Sequence, residues 1–352
     1  MKKKKLGIVL FNLGGPDRPE SIKPFLLNLF RDPAILSVPF FIRPFLARWI
    51  TRARLKPATE NYAHLGGRSP LLEFTQRQAL ALEAALPEYE KKCVIAMRYW
   101  HPFSDEAAKE MRAWSPDEIF LLPLYPHYST TTTGSSLTAW REAAARAGLA
   151  VPTTTLCCYP TDPGFIAAIT RLIDNAYTAA RATVSPASKI RVLFSAHGLP
   201  ESVIKSGDPY QHQIESTVAA VIKTWGEKVD WRICYQSRAT PQKWLSPSTD
   251  EEIHQAAADK ISLLIVPIAF VSDHAETLVE LDIEYRALAK KLGVPGYFRA
   301  PVANDNPAFI TALADLVRQA KSQGPGLCAA TPHKFCPTPH KKCPHALAGT
   351  QA

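Results

Sequence analysis

Two histidines in the chain each follow an apolar run. Phe194-Ser195-Ala196-His197-Gly198-Leu199-Pro200 closes the run Ile190–Ser195, and Phe270-Val271-Ser272-Asp273-His274-Ala275-Glu276 follows Ser262–Phe270. A histidine at the end of a strand, with its near-neutral pKa, suits proton acceptance or metal coordination. Taken singly, either is more simply a histidine bonding its own turn. The second motif carries more, because it enters a helical pattern with Glu276, Glu280 and Glu284 four residues apart. At 3.6 residues per turn these acids share one slowly rotating face. Asp273 precedes them at the helix start, where negative charge is favoured. N-capping and a solvated acidic stripe explain part of this, and Asp282 is an ordinary exposed acid by the same reading. Leu278, Leu281 and Tyr285 take the packed side. A line of carboxylates with His274 at its mouth nevertheless makes a cation path, and nitrogen with oxygen ligands suits a divalent transition metal.

Further candidates stand at other strand ends. Arg98-Tyr99-Trp100-His101-Pro102 offers a guanidinium for an acidic ligand and flat aromatic faces, and Trp244 adds another. Tyr125-Pro126-His127-Tyr128-Ser129-Thr130-Thr131-Thr132-Thr133-Gly134-Ser135-Ser136 is a hydroxyl-rich lead into a helix, suited to capping or anion binding. It lacks the Gly-Lys-Ser/Thr of a nucleotide P-loop, and no dinucleotide fingerprint follows Leu6–Leu13. Ser195 lacks the flanking glycines of a hydrolase elbow.

The elements that must position these groups are strands alternating with helices. Leu6–Leu13, Cys93–Tyr99, Glu118–Tyr125, Ile190–Ser195, Trp231–Tyr235 and Ser262–Phe270 read as buried strands. Pro70–Leu86, Ser135–Ala147, Gly164–Ala180, Tyr210–Trp225 and Glu276–Leu292 read as helices. The alternation predicts an α/β fold with parallel sheets. Ile119-Phe120-Leu121-Leu122-Pro123-Leu124-Tyr125 resembles Leu263-Leu264-Ile265-Val266-Pro267-Ile268-Ala269, which predicts two related halves divided near 150–163. Ligands of open parallel sheets sit beyond the carboxyl ends of the strands, where these motifs fall.

The 352 residues suffice for two domains, and 46% hydrophobic with 21% charged residues describes a folded, soluble chain. No apolar run reaches the ~18 residues of a membrane span. The basic start Met1–Lys5 and the following Leu6–Leu10 lack a small-residue cleavage site, so export is not expected. Seven cysteines without an export signal imply reduced thiols and a cytoplasmic chain. The net charge of +9 is spread along the chain with no reading helix, so nucleic acid is not an expected partner. From about Ser322 the composition changes. Thr331-Pro332-His333-Lys334-Phe335-Cys336 nearly repeats as Thr338-Pro339-His340-Lys341-Lys342-Cys343, and so many prolines predict a non-helical tail that needs a partner to become ordered.

Taken in order, these stretches resemble the ferrochelatases, from about Leu6 to Val317. The resemblance rests on Asn12-Leu13-Gly14-Gly15-Pro16, Gly66-Gly67-Arg68-Ser69-Pro70, Arg98–Pro102, Leu122–Pro126 and Thr133–Ser136. It continues through Ser195–Pro200, Tyr235-Gln236-Ser237-Arg238, Ser272–Leu278 and Glu280–Tyr285. It implies two Rossmann-like halves with a porphyrin cleft between them: residues 1–155 with an active-site lip at about 21–51, then 156–321, then a tail at 322–352. It implies insertion of ferrous iron into protoporphyrin IX, with the histidine of Ser-Ala-His at His197 and the glutamate of Asp-His-x-Glu at Glu276. These two are the implied iron and proton-abstracting pair, and Asp273, His274, Glu280 and Glu284 the implied relay. Leu13, Ser69, Arg98, Tyr99, Tyr128 and Trp244 match positions that line the porphyrin, and basic groups around Arg52 and Arg54 are weaker matches near the propionates. Another tetrapyrrole or metal (coproporphyrin, cobalt), or a haem or iron carrier on the same fold, are the competing readings. The lip interleaves Phe25, Leu26, Leu29, Phe30, Phe40, Phe41, Ile42, Phe45, Leu46 and Trp49 with basic residues, as a peripheral membrane contact would. The oligomeric state is left at monomer or homodimer. Some members of the family carry a [2Fe–2S] cluster on C-terminal cysteines, and Cys328, Cys336 and Cys343 match these with wider spacing. Thr130 stands where the animal enzymes have an internal cysteine, so Cys158 or Cys157 would have to be the fourth ligand. A His/Cys zinc site and an unstructured tail are the alternatives.

Overall fold

The computed structural model describes residues 3–238, 242–328, 336–337 and 339–345. Its strands are β1 (Lys5–Asn12), β2 (Glu90–Met97), β3 (Glu118–Pro123), β4 (Thr153–Leu156), β5 (Ile190–His197), β6 (Asp230–Gln236), β7 (Ser262–Pro267), β8 (Tyr297–Arg299) and β9 (Gly326–Cys328). The helices are α1 (Ile22–Arg31), α2 (Arg43–Ala63), α3 (Leu71–Ala84), α4 (Ser104–Trp114), α5 (Ser135–Arg146), α6 (Pro163–Thr183), α7 (Glu201–Lys205), α8 (Tyr210–Trp225), α9 (Thr249–Asp259), α10 (Tyr285–Leu292) and α11 (Pro307–Ser322). Two further segments, Thr130–Gly134 and Glu276–Glu284, are π-helical. The chain forms two compact units, Met1–Cys158 with Leu313–Pro332, and Tyr159–Ala312 with His333–Ala352.

The first unit is built on a parallel sheet in the order β2-β1-β3-β4-β9. Central β1 is buried from Leu6 onward, as a strand covered on both faces must be, and this explains its continuous apolar sequence. Val9 and Phe11 turn to one face, where Ala107, Ala108 and Met111 of α4 and Leu137, Trp140 and Ala143 of α5 meet them. A side chain at Gly7 would collide with Met111 Sδ, so a glycine interrupts an otherwise bulky strand.

The second unit repeats the plan in the order β6-β5-β7-β8, again parallel. Leu193, Cys234, Leu263 and Ile265 pack with Ile253 and Ala256 of α9, Leu281 of the π-helical segment, and Tyr285 and Ala289 of α10. In each sheet the opening strand lies between the next two. In each, the third strand ends on a proline, Pro123 or Pro267, and a loop then leads into a π-helical segment.

The region from Ser322 is not uniformly irregular. Residues 326–328 form β9, pairing Leu327 with Thr155 and Cys328 with Leu156, and this returns Leu313–Pro332 to the first unit. In the second unit Lys342 N donates to Gly207 O at 3.1 Å, and Lys342 Nζ to Ser206 Oγ at 2.7 Å. Thr331–Phe335 and Thr338, half of the near-repeat, lie outside the described residues. Among the described residues no helix is long and apolar enough to cross a membrane.

Candidate active site

His197 is the last residue of β5, the strand flanked by β6 and β7. Its backbone is held on two sides. Gly198 N donates to Gln236 O at 2.8 Å, and Tyr210 Oη donates to the His197 carbonyl at 3.1 Å. Its Nδ1 lies 2.9 Å from Oε2 of Glu276, the first residue of the second π-helical segment. Side-chain exposures of 35% and 26% leave the pair reachable from solvent. Burial works against a charged imidazole here, but the Glu276 charge and hydrogen bond outweigh it and raise the His197 pKa. Burial likewise opposes the Glu276 carboxylate, and His197 together with His274 overcomes that and holds its pKa far below the usual range.

His274 Nδ1 is 3.0 Å from the Ser272 carbonyl, which only accepts, so Nδ1 carries a hydrogen. Its Nε2 faces Glu276 Oε2 at 3.7 Å. Glu276 therefore stands between two imidazoles.

Glu280 has a different environment. It accepts from Gln236 Nε2 at 3.0 Å, Ser237 N at 2.9 Å, Ser237 Oγ at 2.5 Å and Tyr285 Oη at 3.2 Å. Burial first, and then the neighbouring Glu276 charge, raise its pKa. Two neighbouring acids with pKa values pushed apart divide the work: one stays charged, the other takes up a proton more readily. Glu284, expected on the same line, is exposed. The i→i+5 turn does not keep the rotation of an α-helix, so a spacing of four does not carry the face through to Glu284. Asp273 is not open to a cation. Its Oδ1 accepts from Thr277 Oγ1 at 2.9 Å and faces Arg299 Nη1 at 3.4 Å, and its Oδ2 accepts from Asn304 Nδ2 at 2.9 Å. Among the described residues no three or more His, Cys, Asp or Glu are gathered to hold a metal ion.

Trp244, half-buried, lies in the same unit, and a side chain on Gly198 would meet its ring at 3.5 Å. In the first unit Leu13 and Ser69 are half-buried around the turn at Gly14 and Gly15, with Tyr99 N donating to Leu13 O and Ser69 N to Pro16 O. Arg98, expected to pair with an acidic ligand, is engaged internally. Its Nη2 is 2.8 Å from Asp32 Oδ2 and its Nε donates to Ser135 Oγ at 2.5 Å. Tyr99, expected to offer a flat face, is fully buried with Oη donating to Asp32 Oδ2 at 2.8 Å. A carboxylate that is itself buried draws both groups inward. Tyr128 is also buried, against Cys157 and Cys158.

A family model described as ferrochelatase matches residues 5–321. The chain belongs to the ferrochelatase family. It is 52% identical over 326 residues to a ferrochelatase of Caulobacter vibrioides (strain NA1000 / CB15N), covering 92% of each chain. It is 51% identical over 342 residues to a ferrochelatase of Phenylobacterium zucineum (strain HLK1), covering 94% of this chain and 97% of that one. The sirohydrochlorin chelatase SirB from Bacillus subtilis subspecies spizizenii, solved in complex with cobalt, shares 10% identity with a TM-score of 0.52 over 91% of this chain and 96% of that one. That likeness is one of fold, with two parallel sheets in the chelatase arrangement. The family member described here is an enzyme. Sequence reasoning did not single out Asp32, Arg299 or Asn304. Asn304-Asp305-Asn306-Pro307 carries a signal for the last, since asparagines before a helix-opening proline mark a turn with unusual backbone.

Proposed function

We propose that this chain is a lyase that inserts ferrous iron into protoporphyrin IX to give protohaem, working in the cytoplasm. The observation that carries the reading is the 2.9 Å contact between His197 Nδ1 and Glu276 Oε2, reachable from solvent at the carboxyl end of a parallel strand. The porphyrin must lose two pyrrole protons as iron enters. His197 accepts them one at a time, Glu276 stabilises the imidazolium formed each time, and Glu280 takes up the proton passed on so that the imidazole is neutral for the next. A site that favours a puckered macrocycle over a flat one lowers the barrier further. Leu13, Ser69, Arg98, Tyr99, Tyr128 and Trp244 remain the proposed porphyrin-side residues, with the buried Tyr99 and Tyr128 acting from behind the surface. Mixing the anaerobic protein with ferrous iron and protoporphyrin tests this by absorption: porphyrin bands give way to those of haem, and His197→Ala abolishes the change. Porphyrin binding without conversion would leave a carrier, and conversion only with coproporphyrin or cobalt would change the substrate.

The lip supports peripheral membrane contact. Phe40, Phe41, Ile42, Phe45 and Trp49 are exposed, Phe40 to 79% and Trp49 to 69%, with exposed Arg48 and Arg52 nearby.

A [2Fe–2S] cluster on Cys328, Cys336, Cys343 and Cys158 or Cys157 suits the thiols by donor type alone, since among the described residues these cysteines are not gathered into a group that holds a metal ion. All five cysteines are buried, and Gln213 Nε2 donates to Cys336 Sγ at 3.1 Å. The sulfurs of Cys157 and Cys158 are 3.3 Å apart. Burial first, then Cys158, pushes the Cys328 thiol up to about 12, so a bound metal would have to displace its proton. When bound, the group supplies iron–thiolate bonds that hold the tail. Visible thiolate-to-iron bands in the protein as purified, absent from Cys336→Ser, test it.

A further inference from the structure

Asn304 lies between β8 and α11 with φ at 44°, in the left-handed region that asparagine enters more readily than most side chains. Its amide meets Asp273 twice. Asp273 N donates to Asn304 Oδ1 at 2.9 Å, and Asn304 Nδ2 donates to Asp273 Oδ2 at 2.9 Å. Asn304 N also donates to Val271 O at 2.8 Å, so backbone and side chain grip the same loop. From Asp273 the connection runs on through Thr277, whose Oγ1 donates to Asp273 Oδ1 at 2.9 Å and accepts from His274 N at 3.0 Å. Arg299, at the end of β8, reaches Asp273 Oδ1 at 3.4 Å and donates from Nε to Asp282 Oδ2 at 2.8 Å. It thereby spans from the loop before the π-helical segment to a residue within it.

Glu276 sits inside this frame, two residues after His274 and next to Thr277. A π-helical turn is an uncommon geometry, and its entry here is bonded by Arg299 at the end of β8 and by Asn304 beyond it. We propose that Asn304 is a positioning residue for iron insertion: its amide clasps Asp273 and so holds the entry of the Glu276–Glu284 segment in the orientation that places Glu276 against His197. The proposal rests on the functional reading of His197 and Glu276. Displacing a group by about an ångström from outside the chemistry can lower a rate by about 100-fold.

The test is a two-residue exchange. Asn304→Asp sets two carboxylates against each other. In the double variant Asp273→Asn/Asn304→Asp, the amide introduced at 273 donates to the carboxylate introduced at 304, while its carbonyl oxygen still accepts from Thr277 and Arg299. Steady-state insertion of ferrous iron into protoporphyrin is measured for each, with porphyrin binding followed by fluorescence. The expected result is a fall in kcat of about 10- to 100-fold for Asn304→Asp, porphyrin KM within about twofold, and recovery to within about threefold in the exchange. Asn304→Gly keeps the left-handed backbone and the Val271 bond while removing the amide, and it carries the same expectation where Asn304→Asp fails to fold. Wild-type kcat in Asn304→Gly would overturn the proposal. So would an exchange variant that folds but does not recover. Failure of the unsubstituted protein to convert porphyrin would instead defeat the functional reading, before any variant is compared.

Discussion

His197 Nδ1 and Glu276 Oε2 meet at 2.9 Å although 79 residues separate them in sequence. The contact joins the end of β5 to the start of a π-helical segment, and it sets the protonation of both partners.

The sign of the pH dependence follows. Glu276 raises the His197 pKa above its ordinary value of about 6.5. A histidine that accepts protons must be neutral, so the acidic limb of kcat/KM is expected above that value. Glu276→Gln removes the charge and leaves burial in control, moving the limb to lower pH while kcat falls. A limb that stays in place would exclude His197 as the proton acceptor. In stability the same shift acts the other way: the pair contributes fully below the ordinary histidine pKa and fades as pH rises through the raised one.

Asp32 is expected to matter to folding more than its place near the lip suggests. Its carboxylate receives Arg98, Tyr99 and Ser135 at one oxygen, Oδ2, while its side chain is only 3% exposed. Removing one member of a buried ion pair costs about 3–5 kcal/mol, and Arg98 is here partly exposed, so Asp32→Ala should fall at or below the lower end. Denaturant unfolding measures it, and a loss under about 0.5 kcal/mol, the size of a surface substitution, would contradict the account.

The exposed aromatics should behave oppositely. Replacing Phe40, Phe41, Phe45 and Trp49 together with glutamine is expected to leave unfolding nearly unchanged and to abolish sedimentation with anionic vesicles. Retained sedimentation would move the membrane contact elsewhere.

Gly198→Ala tests the mounting of His197. An added Cβ would stand 2.7 Å from the carbonyl oxygen of Gln236, a backbone atom that cannot swing aside. The expected result is a loss of kcat of about 10-fold or more, with the protein folded by circular dichroism.

How much of this is legible in the residues depends on burial. Strands β1, β3, β5 and β7 read most clearly because a strand covered on both faces is a nearly uninterrupted apolar run. Strands β4, β8 and β9 do not, being three or four residues long, and β4, Thr153-Thr154-Thr155-Leu156, is largely polar besides. Glu276–Leu292 reads as one helix, yet its first nine residues are π-helical, because hydrophobic spacing reports which side is packed and not which hydrogen bonds close the turn. His197 and Glu276 are visible from their motifs. The engagement of Arg98 and Tyr99 is not, since it depends on an aspartate 66 and 67 residues away.

The two sheets share the order of their first four strands, and each third strand feeds a π-helical segment, Thr130–Gly134 in one case and Glu276–Glu284 in the other. An ancestor that was duplicated and fused would leave this signature. On that history the unusual turn predates the division of labour, for the copy built of threonines has it as well. In the present chain the ionisable groups stand on one copy, while its sibling carries neutral hydroxyls on the same kind of turn.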